Sequence, residues 1–158
     1  MRIKKVIKKE KGFVILFAIT ISSILLAIAI GVSNIALKEM KFGTLARNTN
    51  DAFFAADTGV ECALFSDKPP TSVFVLAGGT DIQCLGNTIT MSGSFPSWSF
   101  IISGLGSEGQ SCAIVSVVKT TGLTSTSTTV TSKGYNTGDT YCNSRGGERT
   151  EREIETNY

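Results

Sequence analysis

At 158 residues the chain has room for one compact domain plus an anchor, and a second, catalytic domain has nowhere to go. Histidine is absent, which excludes Ser-His-Asp and Cys-His nucleophile activation and any histidine-containing zinc site. The net charge of +2 is unevenly placed: Arg2, Lys4, Lys5, Lys8, Lys9 and Lys11 face only Glu10 in the first twelve residues, and the remainder carries nine basic against twelve acidic residues, a net −3. A mildly acidic body gives little support for a sequence-independent grip on nucleic-acid phosphates, so no nucleic-acid partner is predicted.

Residues 1–12 therefore read as a basic leader. From Gly12 to Leu37 the chain runs GFVILFAITISSILLAIAIGVSNIAL without a charge, and a helix of that length covers about 39 Å, enough to cross a bilayer. The apolar run is too long for an ordinary cleaved secretory signal, and it continues into patterned sequence. The basic leader stays cytoplasmic by the positive-inside rule, which predicts a single-pass topology with the N-terminus inside and residues after Leu37 on the far side.

The run Lys11-Gly12-Phe13 after a short basic leader resembles the prepilin peptidase site of type IV pilins and pseudopilins. Ala52-Phe53-Phe54-Ala55-Ala56-Asp57-Thr58-Gly59-Val60-Glu61 is similar to the alanine-rich helix that follows the span in many minor pilins, so the resemblance extends over residues 4 to 66. It implies cleavage between Gly12 and Phe13, N-methylation of Phe13, insertion in the bacterial cytoplasmic membrane, and later incorporation into a cell-surface filament. The implied partners are the membrane, prepilin peptidase, the inner-membrane assembly machinery, and other pilin subunits through the N-terminal helix. The chain departs from the family at Phe17, which stands where the usual glutamate follows the cleavage site. In the family that carboxylate neutralises the terminal ammonium of a neighbouring subunit inside the lipid, where an unpaired charge is costly. Its loss resembles tip-located minor pilins.

Beyond the span, residues 38–66 continue at helical spacing, with Met40, Leu45, Ala52, Ala56, Val60 and Leu64 joined by Phe42, Phe53 and Ala63. Arg47 and Asp51 are four apart and form an exposed pair; Asp57 and Glu61 are like charges at the same spacing, relieved by solvent or by Lys38, Lys41 or Arg47 of a staggered neighbour. A continuous helix from Phe13 to Ser66 is predicted, ended by Lys68-Pro69-Pro70 because proline has no backbone donor. Gly31 or Gly43 marks a bend, a close helix contact or a tolerated weak point.

Residues 67–158 read as a β-rich extracytoplasmic domain. Expected strands are Ser72 to Leu76, Thr88 to Met91, Trp98 to Ser103, Cys112 to Thr120, Ser127 to Gly134 and Arg149 to Tyr158, joined antiparallel because no crossover helices separate them. The fold class is thus α+β, a long N-terminal helix packed on an antiparallel sheet, with Phe100, Ile102, Ile114, Val115, Val117 and Val130 facing the helix. The four cysteines contain no CxxC pair and read as disulfides of an oxidising compartment. Four cysteines permit three pairings. A hairpin turn centred near Leu123 sets Cys112 opposite Tyr135 with Cys142 a short loop away, which favours Cys112 with Cys142 and leaves Cys62 for Cys84.

The expected function is that of an assembly subunit, a minor pilin or pseudopilin, with no catalytic activity and no cofactor. The alternative is an uncleaved single-pass anchor carrying an adhesin-like binding module, with Trp98, the loop from Gly104 to Ser111 and the turn from Ser144 to Arg149 as contacts. Asp81, Glu108 and Asp139 have none of the spacing of a calcium-binding loop. The arginines at 145, 149 and 152 alternate with Glu148, Glu151 and Glu153, a pattern expected of a salt-paired edge strand.

Overall fold

A computed structural model describes residues 11–68, 70, 72–75, 81–123, 125–143 and 148–158, with side chains from Phe13 onward. The basic leader up to residue 10 lies outside them. Among the described residues one helix, α1 (Lys11–Ser66), precedes seven strands: β1 (Ile82–Cys84), β2 (Asn87–Ile89), β3 (Ser92–Ser94), β4 (Ser97–Leu105), β5 (Ser111–Thr121), β6 (Thr126–Tyr135) and β7 (Glu151–Asn157). The chain divides into two compact units between Thr44 and Leu45.

In the first unit α1 carries no charge from Phe13 to Leu37, and every side chain from Phe13 to Thr44 is exposed. A helix of this kind has no favourable state in water by itself. It is long and apolar enough to cross a membrane. Two of its hydroxyls are satisfied internally: Thr20 Oγ1 donates to the Phe17 carbonyl at 2.9 Å and Ser23 Oγ to the Thr20 carbonyl at 2.8 Å. This removes the penalty that an unpaired hydroxyl would carry in hydrocarbon.

In the second unit the helix packs on a five-stranded antiparallel sheet of order β3-β4-β5-β6-β7, beside a separate β1-β2 hairpin. The fold is α+β. Every strand of the larger sheet pairs with its neighbour in sequence, so the whole sheet is a meander. The period-two alternation places Trp98, Phe100, Ile102, Ala113, Val115, Val117 and Val130 on one face, where they form a core with Ala55, Val60 and Ala63 of the helix. Full burial of each large side chain is worth about 1.5–3 kcal/mol. Ile114 departs from expectation. It sits one residue out of phase with Ala113 and Val115, and so packs on the opposite face with Ile101 against Cys112, Tyr135 and Cys142.

The helix seats close to the sheet because its inner face is small. Ala52, Ala55, Ala56 and Ala63 are almost wholly buried. A Cβ on Gly59 would meet Ser132 Oγ and Val115 Cγ2, and one on Gly134 would meet the backbone of Ala52 and Ala56. These two glycines, and not Gly31 or Gly43, are the close-contact positions: a Cβ on either of the latter meets nothing within 4 Å.

The helix stops at Ser66, and its last carbonyls are used locally: the Asp67 amide donates to Ala63 O at 2.9 Å and the Val73 amide to Ser66 O at 3.1 Å. That closure explains why Ser72 to Val75 form no strand, whereas Leu76 lies outside the described residues. Phe74 drops into the core instead, its ring centroid 5.6 Å from that of Trp98. The expected strand Thr88 to Met91 is divided: β2 pairs back onto β1, Met91 is buried, and β3 begins at Ser92. The β1-β2 turn uses Leu85 and Gly86, both at positive φ (52° and 78°), the conformation of a tight hairpin. Leucine is a poor signal for that turn. The last strand starts at Glu151, two residues after the expected Arg149.

Candidate functional site

Three regions carry the chemistry singled out by the sequence: the start of α1, the outer face of its second half, and the loops at the far end of the sheet. At the start of α1 Gly12 lies in the first helical turn. Phe13 and Phe17 are both exposed and stack one turn apart, with ring centroids 6.4 Å apart and planes within 12°. Phe17 is thus an aromatic ring continuous with the apolar surface.

On the outer face of the second half, opposite the buried alanines, Phe54, Asp57, Thr58, Glu61 and Phe65 form one stripe at the i, i+3, i+4, i+7 and i+11 positions. Phe54 and Phe65 are 62% and 72% exposed. Asp57, Thr58, Glu61 and Phe65 of this stripe, with Leu85 of the β1-β2 turn, wall a groove of about 510 Å³. The Cys62–Cys84 disulfide, with a Cα–Cα distance of 5.7 Å, anchors the hairpin to the helix and fixes that wall. The second disulfide joins Cys112 to Cys142 across the other face of the sheet, also at a Cα–Cα distance of 5.7 Å, and Cys112 pairs in register with Tyr135.

The exposed pair of Arg47 with Asp51 forms at 3.9 Å, but the closer partner of Arg47 is Glu108 in the β4-β5 loop at 2.5 Å, with Ser107 at 3.3 Å. The hydrogen bond and charge of Glu108 raise the guanidinium pKa further above its ordinary value, with Asp51 adding to the effect. A pairing between residues 61 apart has no signal in local spacing. The loop from Gly104 to Ser111 is therefore tethered to the helix.

Two of the contacts expected of an adhesin-like module are turned inward. Trp98 is 1% exposed and belongs to the core. Ser144 and Arg145 lie outside the described residues. Arg149 is turned inward: its guanidinium stacks on Tyr135 at 3.7 Å and donates to the Cys142 carbonyl at 2.7 Å. The expected arginine–glutamate pairing along the last strand is replaced by Lys133, across on β6, which reaches Glu151 at 3.6 Å and Glu153 at 3.2 Å. Cross-strand neighbours are closer than alternate residues of one strand, and their register decides the pairing.

One polar cluster was not legible in the sequence. Asp67, just past the helix end, is buried and accepts from Lys119 Nζ and Ser72 Oγ on one oxygen, and from Tyr158 Oη at 2.8 Å and Thr128 Oγ1 at 3.3 Å on the other. Burial pushes the Asp67 carboxyl up, but the hydrogen bonds of Lys119, Ser72 and Tyr158 and the lysine charge outweigh it and hold the carboxyl below its ordinary range. Burial and the same carboxylate raise the Tyr158 hydroxyl. Both oxygens of Asp67 are occupied by side chains, so the cluster ties α1, β5, β6 and the last strand together and offers no free base.

Among the described residues no group of three potential metal ligands comes together. Glu108 is engaged by Arg47, and Asp139 accepts the Tyr141 and Asn143 amides at 2.8 Å each. Compared with known proteins, the chain matches no protein-family profile, no curated protein and no solved structure.

Proposed function

We propose that this chain is a minor subunit of a type IV pilus or of a secretion pseudopilus, inserted in the bacterial cytoplasmic membrane with its N-terminus inside. Prepilin peptidase cuts it after Gly12, Phe13 is methylated, and the inner-membrane machinery packs it into a filament through α1. No catalytic step and no cofactor enters this role.

The observation that carries the reading is the apolar surface left over beyond the span. A tether needs about 20 apolar residues and then no more. Here Met40, Phe42, Leu45, Phe54 and Phe65, all after Leu37, are each more than half exposed. Exposed surface of this amount on one helix is a marker of association. A helix that is first a span and then the spine of a sheet domain provides both an anchor and a packing surface.

Within the filament we place the chain at or near the tip. Phe17 supports this, because a ring cannot neutralise the terminal ammonium of a subunit stacked above it. Immunogold labelling is expected to mark filament ends; label along the whole length would contradict the placement. The parent reading is tested by sequencing the mature N-terminus, where Phe13 is the expected first residue. A mature chain that retains its leader would favour the uncleaved anchor with a binding module.

A further inference from the structure

We propose that Asn34, Leu37, Lys38 and Lys41 seat the headgroup of one anionic glycerophospholipid, in the leaflet that faces away from the cytoplasm. The proposal rests on the reading of α1 as a span with its N-terminus inside, and it is independent of cleavage and of the filament.

These four residues line a shallow recess of about 290 Å³. At 3.6 residues per turn they fall within about 100° of one another, on one face of the helix. Their level in a bilayer follows from the helical rise. Lys11 is the last charge before the uncharged run and Lys38 the first after it, and a rise of 1.5 Å per residue sets them about 40 Å apart. A bilayer with its headgroup regions is about 40–45 Å thick. With Lys11 level with the inner phosphates, Lys38 is level with the outer ones and Lys41 lies about 4.5 Å beyond them. Lysine side chains on a helix lean toward its N-terminus, which here is down toward those phosphates. Asn34 lies about 6 Å below Lys38, at the edge of the hydrocarbon, where its amide meets the ester carbonyls. Leu37 is 56% exposed and gives the first carbons of the acyl chains an apolar wall.

The charges decide the occupant. Lys38 and Lys41 are exposed and make no ion pair within the chain among the described residues. Three residues apart, they are neighbours on the helix surface, close enough for both ammonium groups to reach one phosphate. Two like charges at this spacing repel each other until an anion sits between them. Glu39 is the one acid between Phe13 and Thr44, and it points about 130° away from the midpoint of the two lysines. A zwitterionic headgroup brings its own ammonium beside the phosphate, and that cation finds no carboxylate on this face. A headgroup with a net negative charge has no such group to place, so the recess selects the anionic lipid.

The test uses the full chain carrying Gly31→Trp, in vesicles of equal parts phosphatidylcholine and phosphatidylglycerol. A Cβ at Gly31 meets nothing within 4 Å, so the indole is accommodated. It lies about 4.5 Å below Asn34 and two turns below Lys38 on the same face. Trp98 is buried in the core and does not meet lipid. Brominating the acyl chains of one lipid at a time reads which lipid stands beside the introduced indole. Brominated phosphatidylglycerol is expected to quench it as if enriched about fivefold over the bulk mixture, the factor one lysine contributes near an anionic surface. Lys38→Gln with Lys41→Gln is expected to remove the enrichment. Adding Ala36→Lys and Met40→Lys to that variant returns the charge on the opposite face, and is expected not to restore it. Glu39→Gln, Asp57→Asn with Glu61→Gln, and an excess of inorganic phosphate are each expected to leave it unchanged. Equal quenching by the two lipids, enrichment without Lys38 and Lys41, or enrichment restored from the opposite face would overturn the proposal. So would enrichment seen only after an acid is neutralised, which assigns the lysines to a carboxylate of another chain, or enrichment abolished by phosphate, which assigns them to a free anion. Quenching by both lipids alike defeats the lipid seat and leaves the span standing, whereas no quenching by either defeats the span itself.

Discussion

Asp67 shows how a single side chain can hold several elements while giving no notice of itself. A carboxylate just past a helix C-terminus is on the unfavourable side of the helix dipole. Its side chain is only 5% exposed, and what compensates is Lys119, 52 residues away and itself 15% exposed, with Ser72, Thr128 and Tyr158. Removing one partner of a buried pair leaves the other uncompensated, so Asp67→Asn is expected to cost about 3 kcal/mol. The pH dependence follows from the depressed carboxyl. Its stabilisation is fully present above the unfolded value of about 3.9 and is lost as the pH falls through the lower folded value. Denaturant unfolding of the full chain in micelles, followed by Trp98 fluorescence, is expected to show wild-type stability dropping below about pH 4. Asp67→Asn should lack this part of the drop, and an equal acid response in the two would refute the assignment.

At the scale of elements, long periodic segments were legible and short ones were not. The apolar run and its continuation gave α1 within two residues at its start, and the β-branched stretch around Leu123 gave the β5-β6 register, with Cys112 opposite Tyr135. The strands β1, β2 and β3 have three residues each, too few to display a period, and the turn between the first two is made by Leu85 where asparagine or glycine would announce it. The side of the sheet taken by Ile114 is not legible, because a run of adjacent apolar residues hides which parity faces the helix. The alanine-rich segment acquires a physical meaning in the structure: Ala52, Ala55, Ala56 and Gly59 let the helix backbone approach β5 and β6. Gly134 completes that seat, and its neighbours there are backbone atoms that cannot rotate aside. Gly134→Ala is therefore expected to lower stability by about 2–3 kcal/mol. Gly43→Ala, in open space, is expected to have no such effect and to favour the helix slightly. Comparable losses in the two variants would contradict the close-seating account.

For the whole molecule, the division of labour lies along one helix: an apolar span, a basic stripe just beyond it, and a second half with its small face on the sheet and its aromatic, acidic face outward. The disulfides fit an oxidising compartment beyond the membrane. The outward face was readable as a pattern of charges and aromatics in the sequence. That it stays uncovered was not, because exposure depends on which residues the sheet leaves free. The central claim is that this helix is first processed and then packed among others. It is tested most directly by sequencing the N-terminus of the mature protein from the membrane and weighing the intact chain. The account predicts a chain beginning at Phe13 and carrying one added methyl group; a chain that begins at Met1 without that methyl group would contradict it.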